Sequence, residues 1–172
     1  MLDQIFAGDS FDVLPHLAAL AIAYLLAMPI GWNREREERS AGLRTFPLVA
    51  VATCGFIQAA EHLTADSPEA MARIVEGLIT GMGFIGGGAI LRQSDSVKGT
   101  ATAASLWVTG AIGAAVGLGS YDVAVVLAVA AVVTLWVMEP LKRLGHIGPD
   151  EQQARAAREG SPPPKKKRAR KS

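Results

Sequence analysis

Five apolar runs, separated by short polar segments, constrain this chain more than any other feature of its sequence. The runs lie near residues 13–32, 46–63, 74–91, 101–119 and 121–139. A helix that crosses a bilayer needs roughly 17–25 predominantly apolar residues, whereas a surface helix of a soluble protein shows a polar face with a period of about 3.6 residues. The run 101–119 contains no charge. The sequence therefore predicts an all-α, polytopic membrane bundle of about five helices over residues 1–141.

The distribution of basic residues predicts how these helices are oriented. Cytoplasmic loops of membrane proteins carry an excess of Lys and Arg. Of the 17 basic residues, 16 follow the first, third or fifth run, and Arg73 alone lies between the second and the third. An odd number of spans, with the N-terminus outside and the C-terminus in the cytoplasm, accounts for this division.

The two ends of the chain differ in charge. Residues 1–12 carry three Asp residues and no Lys or Arg, which is unlike the basic start of a secretory signal peptide. Residues 142–172 hold 10 basic residues and three consecutive prolines, a composition that favours extended, self-repelling chain. We predict that 142–172 form a disordered basic cytoplasmic tail, attracted to anionic lipid rather than to nucleic acid.

The charged segment between the first two runs admits two interpretations. In a helix, Glu35 would pair with Arg39, and Arg34 with Glu38, giving a solvated, charge-laced helix end. Alternatively, the segment forms a cytoplasmic site for a partner or a phosphate-bearing lipid. Arg44 and Thr45 would then stand at the N-terminus of the second helix, where anions are favoured.

The third run is rich in glycine. Gly77 and Gly81 form a GxxxG pair, as do Gly83 and Gly87, and Gly86, Gly87 and Gly88 are consecutive. Glycines at this spacing let helices approach closely in lipid, but three in succession could also break the helix and line a polar cavity. Either interpretation makes the glycines candidates for function.

The fourth run carries a stripe of small, weakly polar residues, Thr102, Ser105, Thr109 and Gly113. Such stripes usually hold helices together, and this one could instead line a narrow path against the third helix. Cys54, the only cysteine, is predicted to be a small packing residue.

Two carboxylates are predicted near the outer surface. Glu61 ends the second run and Glu76 enters the third. Arg73 could neutralise Glu76, or the two carboxylates could offer oxygen ligands to a partly hydrated divalent cation. The three histidines are far apart and no catalytic set can be assembled from the spacing, so we expect neither an enzyme nor a cofactor.

Several motifs together resemble the MgtC/SapB family of bacterial membrane proteins. They occur in the family's order and cover about residues 15–140: Arg34-Glu35, Ala41-Gly-Leu-Arg44-Thr45, Arg73, Gly81-Met-Gly83-Phe-Ile-Gly86-Gly-Gly88 and Thr102-Ala-Ala-Ser105-Leu-Trp107. The chain departs from the pattern at Asn33, where the family has an acidic residue. It looks like a short form without the soluble C-terminal domain of longer members.

The resemblance implies a multi-pass protein of the bacterial inner membrane, linked to growth at low magnesium and to virulence. Our first hypothesis is a regulatory or partner-binding membrane protein. Its partners would be the lipid bilayer, another membrane protein or a second copy of the chain. The alternative hypothesis is a transporter of magnesium or another cation, with Glu61 and Glu76 at an outer entry.

Overall fold

The computed structural model describes residues 13–37, 41–64, 67–93 and 96–145. Within them lie five helices: α1 (Val13–Arg36), α2 (Thr45–Thr64), α3 (Pro68–Gly88), α4 (Thr100–Gly117) and α5 (Tyr121–Gly145). The predicted all-α class is confirmed. The acidic N-terminus, and the predicted tail from residue 146 onward, lie outside the described residues, so disorder of that tail stays a prediction.

A short antiparallel hairpin, which the sequence analysis did not predict, connects α3 to α4. Strand β1 (Leu91–Gln93) pairs with β2 (Ser96–Lys98), and Leu91 lies opposite Lys98. Gly99 follows the hairpin with a φ of 92°, and a Cβ there would overlap with the carbonyl oxygen of Ala89. Glycine is therefore required where the chain turns into α4.

Helix α3 begins six residues before the predicted start at residue 74. Ser67 caps it, since its hydroxyl oxygen accepts a hydrogen bond of 3.3 Å from the Ala70 amide, and Pro68 occupies the first turn. Serine at the cap and proline next to it are typical of helix N-termini. The helix also ends at Gly88, three residues before the predicted end.

Helix α5 continues through Pro140 and beyond residue 139, the predicted end of the fifth run. It runs to Gly145, and α1 likewise contains Pro29. A proline inside a helix removes one backbone donor and crowds the preceding turn, but the hydrogen bonds on either side remain available. The described residues fall into two units, one up to Leu135 and one from Trp136.

The core of the first unit consists mainly of small side chains. Helix α1 buries three alanines (Ala19, Ala23 and Ala27), and α5 buries Ala124 and Ala128. The large aliphatic residues of α5 point outward instead, with Val126 67% exposed. A small-residue interior beneath an apolar exterior is the arrangement that membrane helices adopt, because lipid offers no penalty to exposed valine.

Three helices are long and apolar enough to cross a membrane: Val13–Arg36, Thr100–Gly117 and the Tyr121–Met138 part of α5. Helix α2 contributes a shorter apolar stretch, Thr45–Glu61. The apolar exterior and these lengths describe a membrane protein. The count of five spans and their orientation remain predictions from hydropathy and charge.

Helices α2 and α4 pack together most closely, because glycines on α4 meet the backbone of α2. A Cβ added to Gly113 would overlap with the carbonyl oxygen of Ala50, and one added to Gly117 would stand 3.0 Å from the carbonyl oxygen of Cys54. Cys54 itself is fully buried. This contact makes α2 and α4 the centre of the bundle.

Candidate functional site

The junction between α1 and α2 holds a buried charged cluster. The Arg34 side chain is only 3% exposed, and its Nη2 donates to Asn33 Oδ1 at 2.6 Å and to Glu37 Oε1 at 2.8 Å. Its Nε also donates to Asn33 Oδ1, at 3.2 Å. Buried charges are retained where they are paired and hydrogen-bonded, so Asn33 and Glu37 explain why Arg34 is tolerated there.

The predicted i, i+4 ion pairs of this segment involve Arg39 and Glu38, which lie outside the described residues. Among the described residues, Arg34 instead forms an ion pair with Glu37, at i, i+3. Asn33, the residue at which the chain departs from the family pattern, accepts from the guanidinium as a neutral amide. A role in metal binding is therefore not needed to account for Asn33.

Glu35 connects α1 to the turn that precedes α2. Its Oε2 accepts a hydrogen bond of 3.1 Å from the Leu43 amide, and it occupies the space beside Gly42 into which a Cβ would project. Gly31 approaches the same turn, since a Cβ there would stand 3.3 Å from the Gly42 carbonyl oxygen. Close backbone approach thus explains the glycine at Gly42 and at Gly31.

Helix α3 is continuous through all its glycines, so the alternative of a break at Gly86–Gly88 does not occur. One face packs against α4: a Cβ at Gly86 would stand 3.4 Å from the Ala103 carbonyl oxygen, and Met82 fills the space beside Gly110. Gly77, Gly81, Gly83, Gly87 and Gly88 have no atom within 4 Å of an added Cβ. Most of the glycine surface is therefore not used for packing within the described chain.

The outer face of α3, which we define as Glu76, Thr80, Gly83 and Gly87, points away from the bundle. These residues follow one another at intervals of four, three and four, and each is exposed. The Thr80 hydroxyl donates to the Glu76 carbonyl oxygen at 2.9 Å. Among the described residues no ion pair joins Arg73 to Glu76, so the proposed neutralisation of Glu76 by Arg73 is not present.

Glu76 also lies deeper along its helix than the sequence analysis expected. Because α3 begins at Pro68, Glu76 is eight residues, or about 12 Å, from the start of the helix. A carboxylate within a membrane-spanning helix is costly, and the prediction that α3 spans the membrane would place Glu76 in such a position. A face that carries an exposed carboxylate and, further along, two exposed glycines is suited to contact with another helix.

Glu61 occupies a different environment. It lines a pocket of about 330 Å³ together with His16, Gln58 and Tyr121, and Glu76 is not among the lining residues. Within the described residues no group of three or more His, Cys, Asp or Glu side chains could hold a metal ion. The two carboxylates proposed as a common cation entry therefore belong to separate surfaces.

The small-residue stripe of α4 is buried. Thr102, Ser105 and Thr109 are at most 6% exposed, and their neighbour Gly113 meets α2 rather than α3. The Ser105 and Thr109 hydroxyls donate to the carbonyl oxygens of Ala101 and Ser105, at 2.7 and 2.8 Å. The hydroxyls are thus satisfied within their own helix, which suits a packed seam. Trp107 is half exposed on the opposite side.

Two apolar depressions mark the surface of α3. One lies between α2 and α3, has a volume of about 440 Å³ and has Arg44 and Thr45 at one end. The other, of about 310 Å³, lies between α3, α4 and α5 beside Trp107. The sequence analysis named Arg44, Thr45, Gly81 and Trp107 separately, and helix packing brings the first three to one groove.

Comparison with known proteins agrees with this architecture. Residues 20–144 match the MgtC family. The chain is 35% identical to protein SrpB of Synechococcus elongatus over 140 residues, which are 74% of this chain and 75% of SrpB. It is 39% identical to protein MgtC of Salmonella typhimurium over 109 residues, 63% of this chain and 46% of that protein.

A third relative, protein MgtC of Brucella abortus, is 37% identical over 129 residues, 74% of this chain and 53% of that protein. No solved structure matches the chain. The chain thus spans about half the length of the MgtC proteins that it matches and three quarters of SrpB.

The apolar exterior, the small-residue core and the three long apolar helices define an integral membrane protein. Within that class, the chain belongs to the MgtC family, as the resemblance in its motifs predicted.

Proposed function

We propose that this chain is a non-enzymatic, multi-pass protein of the bacterial inner membrane that regulates another membrane protein by binding it along the outer face of α3. The link to low-magnesium adaptation or virulence comes from the family. The observation that supports the proposal is that Glu76, Gly83 and Gly87 are all exposed on that one face, with Glu76 about two helical turns before Gly83.

The physical reason is the cost of leaving this face in lipid. A carboxylate facing hydrocarbon is expensive, and bare glycines forgo the packing that stabilises helices in a membrane. A partner helix that lies across Gly83 and Gly87 gains close backbone contact, and a polar or basic group on it would satisfy Glu76. Binding along this face therefore corrects both unfavourable features at once.

Cation transport receives less support. Glu61 and Glu76 lie on separate surfaces. The seam between α3 and α4 is filled where Met82 meets Gly110 and where Gly86 meets Ala103, so transport would require these contacts to separate. We therefore favour regulation.

Photo-crosslinking in native membranes tests the proposal. A benzophenone amino acid at Thr80 should give a discrete adduct, whereas the same amino acid at Val126, which is also exposed but lies on α5, should give none of the same mass. Gly83→Leu should abolish the adduct at position 80, because the larger side chain at position 83 prevents close approach of the partner helix. Gly77→Leu, placed off the outer face in equally open space, serves as the control.

An adduct that survives Gly83→Leu unchanged, or identical adducts from Thr80 and Val126, would contradict the proposal. Magnesium flux into proteoliposomes that falls with Glu76→Gln would support the transporter instead. An adduct of twice the chain mass would identify the partner as a second copy.

A further inference from the structure

The groove between α2 and α3 combines apolar walls with a charge at one end. Leu48, Phe56 and Ile85 form exposed walls, Met82 lies buried at the base, and Arg44 and Thr45 stand at the end where α2 begins. Thr53, the other polar residue of the lining, donates its hydroxyl to the Val49 carbonyl oxygen at 2.8 Å. The length of the groove is therefore apolar in character.

The width of the groove depends on a glycine. Gly81 lines it, and an added Cβ at Gly81 would meet no atom within 4 Å. Any larger residue would project into this space, because a helical side chain leans toward the N-terminus of its own helix and would lie over Leu78. The missing side chain at Gly81 thus keeps the groove open.

Arg44 is exposed, and no ion pair joins it to another described residue. It also lies at the end of the bundle to which the sequence assigns most of the basic residues, the predicted cytoplasmic side. At this predicted cytoplasmic end of the bundle, the Arg44 guanidinium is placed to bind a phosphate group, for which its planar set of N–H donors is well suited.

We propose that the groove binds an acyl chain of an anionic phospholipid of the cytoplasmic leaflet, whose phosphate pairs with Arg44. The inference rests on the membrane placement that the proposed function assumes, and it concerns a different surface from the outer face of α3. It adds a lipid site to a protein whose partner site lies elsewhere on the same helix.

Charge favours lipid over a second copy of the chain. A second copy related by an axis along the membrane normal would bring its own basic end toward Arg44, whereas the phosphate of a lipid brings a negative charge.

Native mass spectrometry of the detergent-purified protein tests the inference with matched variants. Phosphatidylglycerol and phosphatidylcholine with identical acyl chains are titrated against the wild type, Gly81→Leu and Gly77→Leu. We expect one retained phosphatidylglycerol on the wild type and on Gly77→Leu, and loss of it from Gly81→Leu. At neither glycine would an added Cβ meet another atom within 4 Å, and Gly81 lines the groove whereas Gly77 does not, so the comparison isolates the groove.

The Arg44→Gln variant tests whether the lipid headgroup binds at Arg44. One basic residue near a membrane surface changes the affinity for an anionic lipid about fivefold, so Arg44→Gln should weaken phosphatidylglycerol binding by that factor. Binding of phosphatidylcholine, whose choline ammonium offsets the charge of its phosphate, should weaken less. Lys98→Gln, an exposed basic residue that does not line the groove, should change neither.

Equal lipid retention by Gly81→Leu and Gly77→Leu would overturn the inference, as would equal affinity of the wild type for the two lipids. A dimer lost in Gly81→Leu without a change in bound lipid would show that a second copy occupies the groove, which also overturns it. The proposed function fails separately: Gly83→Leu should lose the crosslinked partner while keeping the lipid.

Discussion

At the scale of single residues, the glycines of this chain fall into two groups that sequence spacing does not separate. Gly113 lies against the backbone of α2, and Gly42 leaves room for the Glu35 carboxylate. Gly77 and Gly81 belong to an equally regular GxxxG pair, yet a Cβ added to either would meet no other atom within 4 Å. Position in the bundle, rather than spacing, decides whether a glycine is needed for packing.

This difference predicts opposite effects of the same substitution. Gly113→Ala should destabilise the protein by about 1–3 kcal/mol, because the new methyl group overlaps with Ala50 and forces α2 and α4 apart. Gly77→Ala should leave stability unchanged or raise it by up to about 1 kcal/mol through higher helix propensity. Thermal unfolding in detergent, followed by circular dichroism, measures both. A Gly113→Ala protein as stable as Gly77→Ala would show that the α2–α4 contact is looser than described.

Arg34 and Glu35 show how much of a charged motif can be predicted from the sequence. Their presence at a helix end was predicted, but the buried bond from Arg34 to Asn33 and the bond from the Leu43 amide to Glu35 were not. The first joins adjacent residues, which do not face each other in an ideal helix. The second crosses a turn whose path depends on how α1 and α2 pack. Neither contact follows from helical periodicity.

At the scale of elements, the start of α3 carries a capping signal in the sequence that lies outside the apolar run. The apolar run begins at residue 74, but the helix begins at Pro68, after the Ser67 cap. The serine and proline were readable as a helix start from the sequence. They were missed because the intervening Glu69 and Arg73 interrupt the apolar pattern, although a helix can extend beyond its apolar part.

Replacing Ser67 by alanine tests the cap. Ser67→Ala removes the acceptor of the Ala70 amide bond and should destabilise the first turn of α3 by about 0.5–2 kcal/mol. Hydrogen exchange should therefore become faster at Ala70 and Met71. Thr134→Ala, on an exposed part of α5, is the control and should leave exchange in α3 unchanged. Unchanged exchange at Ala70 in Ser67→Ala would mean that the serine does not cap the helix.

At the scale of the whole molecule, the charge asymmetry predicts a topology that labelling can check. In a Cys54→Ala background, which removes the buried cysteine, single cysteines replace Ser67 and Lys98. A membrane-impermeant maleimide applied to intact spheroplasts should label Ser67→Cys but not Lys98→Cys. Lys98→Cys should react only after permeabilisation. Labelling of Lys98→Cys in intact spheroplasts would contradict the orientation with the C-terminus in the cytoplasm.

The class of protein and its family can both be assigned from the amino-acid sequence alone. Helix formation and membrane insertion depend on local length and hydropathy, so five helices were predicted close to the observed positions. The ordered motifs, read together, identified the MgtC/SapB family. These properties depend on the local sequence, and predicting them does not require knowledge of which helices are in contact.

Which helix faces meet depends on the packing of the helices. Packing brings Gly113 of the α4 stripe against α2, separates Glu61 from Glu76, and leaves the outer face of α3 and the groove beside Gly81 open. The physical reason is that a membrane helix with small and apolar residues on all sides carries little information about which side is buried. Because lipid accepts apolar side chains as readily as a protein interior does, close packing between particular helices makes that choice.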